Sequence, residues 1–129
     1  KGFKTQINKA GYIPIDYAEN MGDYLDLADI VLSRAGSGAV NEFLALKKPM
    51  LLIPLSKKCS RGDQIENANL FNSLGLCEMM EEEEYTSEKL IEKLEKLSKN
   101  DKFFIKNMQK IKKFDACDKI IELIKKIEK

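Results

Sequence analysis

The stretch from residue 28 to residue 55 constrains the fold of this chain more than any other. Its sequence is ADIVLSRAGSGAVNEFLALKKPMLLIPL. Two apolar runs, residues 29–33 and 50–53, have the length and composition of strands buried on both faces. The segment between them predicts a helix over residues 38–47 that Pro49 ends, with Lys47 and Lys48 complementing the dipole at its C-terminus. A strand, a helix and a second strand in this order predict a parallel pair joined by a right-handed crossover.

The rest of the chain continues this alternation and adds helices at its end. The further predicted strands are residues 11–15 and 76–80. The further predicted helices are 17–27, 64–74, one that starts with capping chemistry at Thr86, one around Phe104, and 115–126. Gly75 is predicted to be the C′ residue of the helix 64–74, and Leu70 and Ile91 are predicted to lie on inward-facing apolar stripes. The predicted order is β-α-β-α-β-α-β-α-α-α. It indicates an α/β fold, a Rossmann-like parallel sheet with helices on both faces. The chain has 129 residues, the size of one domain, so residues 1–129 are predicted to form a single domain.

The composition excludes several kinds of site. A formal net charge of +1 gives no electrostatic reason to expect nucleic acid as a partner. The chain has no histidine, and its three cysteines are widely spaced, which predicts free thiols and no zinc site. No Asp-x-Asp pattern is present, so no metal or cofactor is expected. A general base at neutral pH would have to be Asp, Glu, Cys, Lys or Tyr.

The turn over residues 34–38, R-A-G-S-G, is a candidate anion site. Gly36 and Gly38 lack the Cβ atoms that would keep a ligand away from the backbone. The free N–H groups at the helix start, predicted at residues 38–40, favour an anion such as a diphosphate. Ser37 is predicted to cap the helix or to donate to a phosphate oxygen. An ordinary strand-to-helix turn also uses Gly and Ser, and this alternative stays open.

Glu42 follows the turn on the same predicted helix. A carboxylate only accepts hydrogen bonds, which suits the two hydroxyl donors of a ribose. Phosphates at the helix start and a ribose one turn further would place a nucleotide along the helix. The alternative is an acid that merely compensates the helix dipole.

A second polar cluster lies in the sequence SRGDQIENA, residues 60–68. Asp63 and Asn67 are four residues apart and share one helix face, with Gln64 beside them. Their carboxylate and amide groups suit the hydroxyls of a sugar. The alternative is helix capping by Asp63 or Ser60. The acidic run at residues 81–84 is predicted to be a solvated loop.

The two segments SRAGSGAVNEFLALKKPMLLIPL and SRGDQIENANLF together resemble the C-terminal, donor-binding domain of the MurG glycosyltransferases, in the version found in Gram-positive bacteria. The resemblance extends from about residue 11 to the end and is most specific over residues 28–75. It implies one half of a two-domain GT-B enzyme, an inverting hexosyltransferase of peptidoglycan synthesis in the cell wall. Such an enzyme moves N-acetylglucosamine from UDP to a lipid-linked MurNAc-pentapeptide.

The resemblance also implies a role for each matching residue. The turn 36–39 would meet the diphosphate through backbone amides, Glu42 the ribose hydroxyls, and the Ala18 backbone the uracil. Asp63 and Gln64 match a pair that meets the donor, and Arg34 matches an arginine for which support of the turn is an equally open role. The implied substrate-binding residues are Ala18, Arg34, Gly36, Ser37, Gly38, Ala39, Glu42, Asp63, Gln64 and Asn67.

The same resemblance implies that an N-terminal acceptor domain, with the family's proposed histidine base, lies outside this chain. No catalytic residue is therefore assigned here, and the chain alone is expected to bind the donor weakly and catalyse nothing. The full enzyme would be cytoplasmic, peripheral on the inner face of the cell membrane. Apolar surface is expected to be exposed, with self-association as a result. Alternatives are a subunit of another UDP-sugar transferase that needs a partner chain, or a nucleotide-sugar-binding module without chemistry.

Overall fold

A computed structural model describes residues 10–59, 61–111 and 116–127. Helices and strands alternate over the first two thirds of this part of the chain, and three helices follow one another at its end. The elements are α1 (Met21–Leu27), β1 (Val31–Ser33), α2 (Ser37–Ala45), β2 (Met50–Leu52), α3 (Asp63–Ser73), β3 (Glu78–Met79), a 3₁₀ helix (Glu82–Glu84), α4 (Ser87–Lys99), α5 (Asp101–Lys110) and α6 (Ala116–Ile127).

The three strands form one parallel sheet in the order β1-β2-β3. The central strand β2 is fully buried, with all of its residues 0% exposed. Because successive side chains of a strand point to opposite faces, helices must cover both faces of the sheet at β2. The predicted α/β fold with a parallel sheet is confirmed.

The predicted strand at residues 11–15 is wrong. The described residues contain three strands, and this segment is irregular and exposed. Pro14 has no N–H group to donate to a sheet, and Ile13 is 84% exposed. A β-branched run without a neighbouring strand to pair with gains nothing from an extended conformation, so the described order begins with α1.

The predicted burial is wrong at several positions although the elements are present. The strand β1 was predicted to be buried on both faces, but Leu32 is 49% exposed, because β1 is an edge strand with one neighbour. Leu70 on α3 and Ile91 on α4 are each 56% exposed, although both were predicted to face inward. Both lie well away from the buried side of their helix: at 3.6 residues per turn, Leu70 is about 160° around α3 from Ala68, and Ile91 is about 120° around α4 from Leu97. Ala68 and Leu97 are 0% exposed.

Most helix ends lie within two residues of their predicted positions, but α1, predicted over residues 17–27, begins only at Met21. The hydroxyl of Thr86 accepts from the N–H of Lys89, which confirms the predicted N-cap of α4. Gly75 follows α3 with φ +67°, as predicted for a C′ glycine. Lys47 and Lys48 were predicted to complement the dipole of α2. Instead, α2 ends at Ala45 and the Nζ of Lys48 donates to backbone carbonyls at the end of α1.

The last helix, α6, presents apolar side chains to solvent. Ile121, Leu123, Ile124 and Ile127 are all exposed, between 48% and 83%. The expected exposed apolar surface is thus present, and self-association stays a prediction. Residue 115, where this helix was predicted to begin, lies outside the described residues.

None of the helices within the described ranges combines the length and the apolar character that crossing a bilayer requires.

Candidate functional site

The candidate site lies where the three strands end. Residues 34–36 follow β1, residues 53–56 follow β2, and Glu82 comes shortly after β3. The carboxyl ends of parallel strands meet at one edge of the sheet, which is the edge where open α/β sheets bind ligands. The sequence order of these segments therefore places their polar groups together.

The start of α2 offers three unpaired N–H groups. Gly36 is the N-cap residue, with extended backbone and no side-chain cap, and the N–H of Val40 donates to its carbonyl at 3.0 Å. The free N–H groups are those of residues 37–39, for which the described residues supply no acceptor. The predicted set of 38–40 is wrong by one position, because α2 begins one residue earlier than predicted. For the same reason Ser37 is the first helical residue and does not cap the helix.

The space in front of this helix start is open. A Cβ atom built on Gly36 or on Gly38 would meet nothing within 4 Å. The protein's own packing therefore does not require glycine at either position. A ligand that approaches the backbone closely would require it.

Glu42 lies one turn further along α2. It is exposed, and none of the described residues pairs with its carboxylate. Gly38 and Glu42 are four residues apart on one helix face, a rise of about 6 Å. A group bound at the helix start could therefore extend to a second group that hydrogen-bonds to this carboxylate.

Two amide side chains of α3 hold the backbone around the site. The Oε1 of Gln64 accepts from the N–H of Leu55 at 3.1 Å. The Nδ2 of Asn67 donates to the carbonyl of Ala35 at 3.1 Å. One polar atom of each amide is thus bonded to the protein, and the other has no hydrogen-bond partner among the described residues. Asp63, by contrast, is exposed at the first position of α3.

The cap of α3 is Gly62, at φ +92°, and Asp63 does not cap the helix. The alternative that Asp63 serves as a cap is therefore wrong. The structural reason is that a left-handed glycine, which needs no side chain, already forms this helix start. Ser60, the other capping candidate, lies outside the described residues.

Arg34 makes an ion pair that the sequence did not suggest. Its Nη2 lies 2.7 Å from the Oε1 of Glu82, and its Nη1 donates to the carbonyls of Ile53 and Pro54. The Oε2 of Glu82 accepts from the N–H of Ser56. The hydrogen bond from Arg34, and then the one from Ser56, lower the pKa of Glu82 below its ordinary value.

The interpretation of residues 81–84 as a solvated loop is therefore wrong for Glu82. The sequence did contain a signal. Glu82 comes shortly after one predicted strand and Arg34 directly after another, and the carboxyl ends of parallel strands meet at the same edge of the sheet. An open cavity of about 490 Å³ lies beside this pair. Its lining residues are Leu32, Ser33, Arg34, Ile53, Glu82 and Tyr85.

Ala18 is a predicted site residue that lies on neither α2 nor α3 nor the turns before them. It is half-buried in the irregular segment that precedes α1. None of the described hydrogen bonds joins Ala18 to α2 or to α3.

Residues 2–124 match the family model of the glycosyltransferase family 28 C-terminal domain. This chain belongs to that family. Among its relatives, the UDP-N-acetylglucosamine–N-acetylmuramyl-(pentapeptide) pyrophosphoryl-undecaprenol N-acetylglucosamine transferase of Clostridium botulinum strain Loch Maree is 46% identical over 123 residues. This match covers 95% of the chain and 35% of the relative. The relative of the same name from Geobacillus thermodenitrificans is 46% identical over 119 residues, which are 92% of the chain and 33% of the relative.

The fold of this family 28 domain also matches a solved structure. A crystal structure of Acinetobacter baumannii MurG superposes with a TM-score of 0.71 at 22% identity. The match covers 87% of this chain and 32% of that one. The chain thus spans about a third of the length of the relatives that it matches.

Proposed function

We propose that this family 28 domain binds UDP-N-acetylglucosamine as the donor half of an N-acetylglucosamine transferase. The observation that supports this most is the arrangement on α2, where the three free N–H groups of residues 37–39 precede the unpaired carboxylate of Glu42 by one turn. One end of this arrangement suits an anion and the other a pair of hydroxyl donors. A nucleoside diphosphate has both groups in this order.

The diphosphate would lie at the start of α2. The N–H groups and the positive end of the helix dipole would favour its charge. When the bond to the sugar breaks, negative charge increases on the departing UDP. Fixed N–H donors aimed at that position stabilise the transition state without reorganising.

The remaining predicted residues would surround the rest of the donor. Glu42 would accept from the ribose hydroxyls, and the Ala18 backbone would meet the uracil. The free amide atoms of Gln64 and Asn67, with the exposed Asp63, would contact the hydroxyls of the sugar. Arg34 would support the turn that binds the diphosphate and would not contact the ligand itself. Its guanidinium is already bonded to two carbonyls of the loop after β2 and to the carboxylate of Glu82.

The other half of the reaction would belong to a further domain. The relatives are about three times as long as this chain and are named for a pyrophosphoryl-undecaprenol acceptor that bears N-acetylmuramyl-pentapeptide. We infer that the acceptor binds to that further domain, which also supplies the general base. The complete enzyme would then work in the cytoplasm at the inner face of the membrane, where a lipid-linked acceptor is accessible. The isolated chain would bind donor without turnover.

Calorimetric titration of the 129-residue chain tests the proposal. UDP-N-acetylglucosamine should bind with measurable heat, and GDP-mannose should not compete with it. Glu42→Ala should weaken binding by about tenfold or more, since a hydrogen bond to a charged group contributes about 1.5–3 kcal/mol. Glu92→Ala, at an exposed glutamate on α4, is the matched control and should bind as the wild type does. Equal affinity in both variants would overturn the ribose assignment.

A further inference from the structure

Hydrogen bonds join the segments around the candidate site into a closed ring, which we call the edge ring. Asn67 bonds to Ala35, and Gln64, on the same helix α3, bonds to Leu55. Ser56, the neighbour of Leu55, bonds to Glu82, and Glu82 bonds to Arg34. Arg34 precedes Ala35 in the chain, which closes the ring. The edge ring therefore links the turn before α2, the loop after β2, the start of α3 and the 3₁₀ helix after β3.

Glu82 is the residue that closes this ring. Its two carboxylate oxygens bind two different segments: Oε1 accepts from Arg34 at 2.7 Å, and Oε2 accepts from the N–H of Ser56 at 3.2 Å. These partners are 48 and 26 residues away in the sequence. Arg34 also reaches the loop after β2 directly, through the carbonyls of Ile53 and Pro54, and Glu82 adds a second link from Arg34 to the N–H of Ser56 in the same loop.

The stability of the fold does not explain this ion pair. The side chains of Arg34 and Glu82 are 47% and 38% exposed. Exposed ion pairs are screened by water and salt and contribute little to the free energy of unfolding. The pair instead bears on the position of the turn before α2, because Arg34 lies two residues before Gly36, the N-cap of that helix.

We propose that Glu82 is a positioning residue of the donor site. By holding Arg34 and the Ser56 N–H together, it fixes the direction in which the three free N–H groups of α2 point relative to the start of α3. This inference rests on the proposed function, because the ligand positioned is the diphosphate of the donor. Glu82 would have a different role if it bound Arg34 and so kept the guanidinium away from the ligand. Removing the charge of Glu82 would then raise the affinity for the donor, whereas loss of a positioning residue would lower it.

The test uses Glu82→Gln, with Glu83→Gln as the matched control on the same 3₁₀ helix. Glu82→Gln keeps the shape but leaves one acceptor oxygen for two donors. The dissociation constant for UDP-N-acetylglucosamine is measured by amide NMR titration, and the urea midpoint is measured in parallel. We expect Glu82→Gln to weaken binding by about five- to twentyfold, with little change in the midpoint. We also expect Glu82→Gln to shift the amide resonances of residues 37–39 in the free protein. Glu83→Gln should leave the dissociation constant, the urea midpoint and these resonances as in the wild type.

A second variant separates position from charge. Glu82→Asp keeps the charge but shortens the side chain, so the carboxylate no longer reaches both partners. We expect its affinity to be about as low as that of Glu82→Gln. Wild-type affinity in Glu82→Asp, unchanged or raised affinity in Glu82→Gln, or loss of folding in Glu82→Gln would each overturn the positioning role. If the wild-type chain itself does not bind the donor, the proposed function fails and this inference fails with it.

Discussion

The side-chain amide of Asn67 donates to the carbonyl of Ala35 at 3.1 Å, across 32 residues of sequence. This bond joins the two polar clusters that the sequence singled out, one at the start of α2 and one at the start of α3. Ala35 is 0% exposed, so its carbonyl has little access to water as an alternative donor. Asn67 therefore has a structural role in addition to the proposed contact with the sugar.

Removing this bond should destabilise the fold. Asn67→Ala leaves the Ala35 carbonyl without its donor, and an unsatisfied buried acceptor costs about 1–3 kcal/mol. Urea denaturation measures the change in the free energy of unfolding. The control is Asn69→Ala on the exposed side of the same helix, which should change stability by less than about 0.5 kcal/mol. Equal stability of the two variants would show that the bond is not formed in solution.

Gly75 should not tolerate a side chain. Its φ of +67° is left-handed, and a Cβ atom there would lie 2.8 Å from the Nδ2 of Asn107. Gly75→Ala should lower the free energy of unfolding by about 1–2 kcal/mol, the cost of the left-handed conformation, with the close contact added to it. Gly22→Ala, inside α1, is the control and should be neutral or slightly stabilising. Thermal denaturation compares the two, and a stable Gly75→Ala would contradict the left-handed turn.

Glu78 should make the fold sensitive to acid. Burial alone would raise its pKa, but the hydrogen bonds and charges of Lys96 and Lys93, at 2.7 and 3.0 Å, outweigh burial and lower the pKa below 4.5. A lowered pKa in the folded state stabilises the fold above the unfolded pKa, and this stabilisation is lost as the pH falls through the folded value.

Urea denaturation from pH 7 to pH 3 measures this dependence. The loss of stability of the wild type below about pH 4.5 should be smaller in Glu78→Gln, which has no carboxyl group to titrate there. Glu78→Gln should also be less stable at pH 7, by about 1–3 kcal/mol. Glu92→Gln, on the exposed face of α4, should keep the wild-type profile. An identical acid profile in Glu78→Gln would contradict the ion pairs.

Cys77 should resist thiol reagents while the fold is intact. Burial, and after it the charge of Glu78, raises the pKa of its thiol to about 12, and the side chain is 2% exposed. Since the thiolate is the nucleophile, reaction with a disulfide reagent at pH 8 should be slow until the chain is unfolded. Cys59 is exposed and serves as the internal reference. In a Cys117→Ser background one thiol should react at once and the second only in denaturant; two rapid reactions would contradict the burial.

Local chemistry made most of the elements predictable. Apolar runs gave β1 and β2, and capping residues such as Thr86 and Gly75 placed helix ends within a residue or two. The false strand at 11–15 failed because its sequence has strand character, but strand formation requires a neighbour with which to pair. The exposure of Leu32 has a related cause, since the sequence does not show which strand will lie at the edge of the sheet.

The candidate site was predictable where its groups are local and not where they are distant. The anion-binding turn and Glu42 lie within one short segment, and their order follows from helix geometry. The bonds of Asn67 to Ala35 and of Glu82 to Arg34 depend on how separate loops meet, which spacing alone does not give. An error of one residue in the start of α2 was enough to assign the wrong free N–H groups.

The most direct test of the account is to map donor binding along the backbone. UDP-N-acetylglucosamine is titrated into the isotopically labelled 129-residue chain, and the amide resonances are followed. The expected result is saturable shifts concentrated at residues 37–42 and 63–67, which are largely lost in Glu42→Ala. No saturable shift, or shifts centred on the opposite edge of the sheet around Asn100 and Phe103, would contradict a donor site at the start of α2.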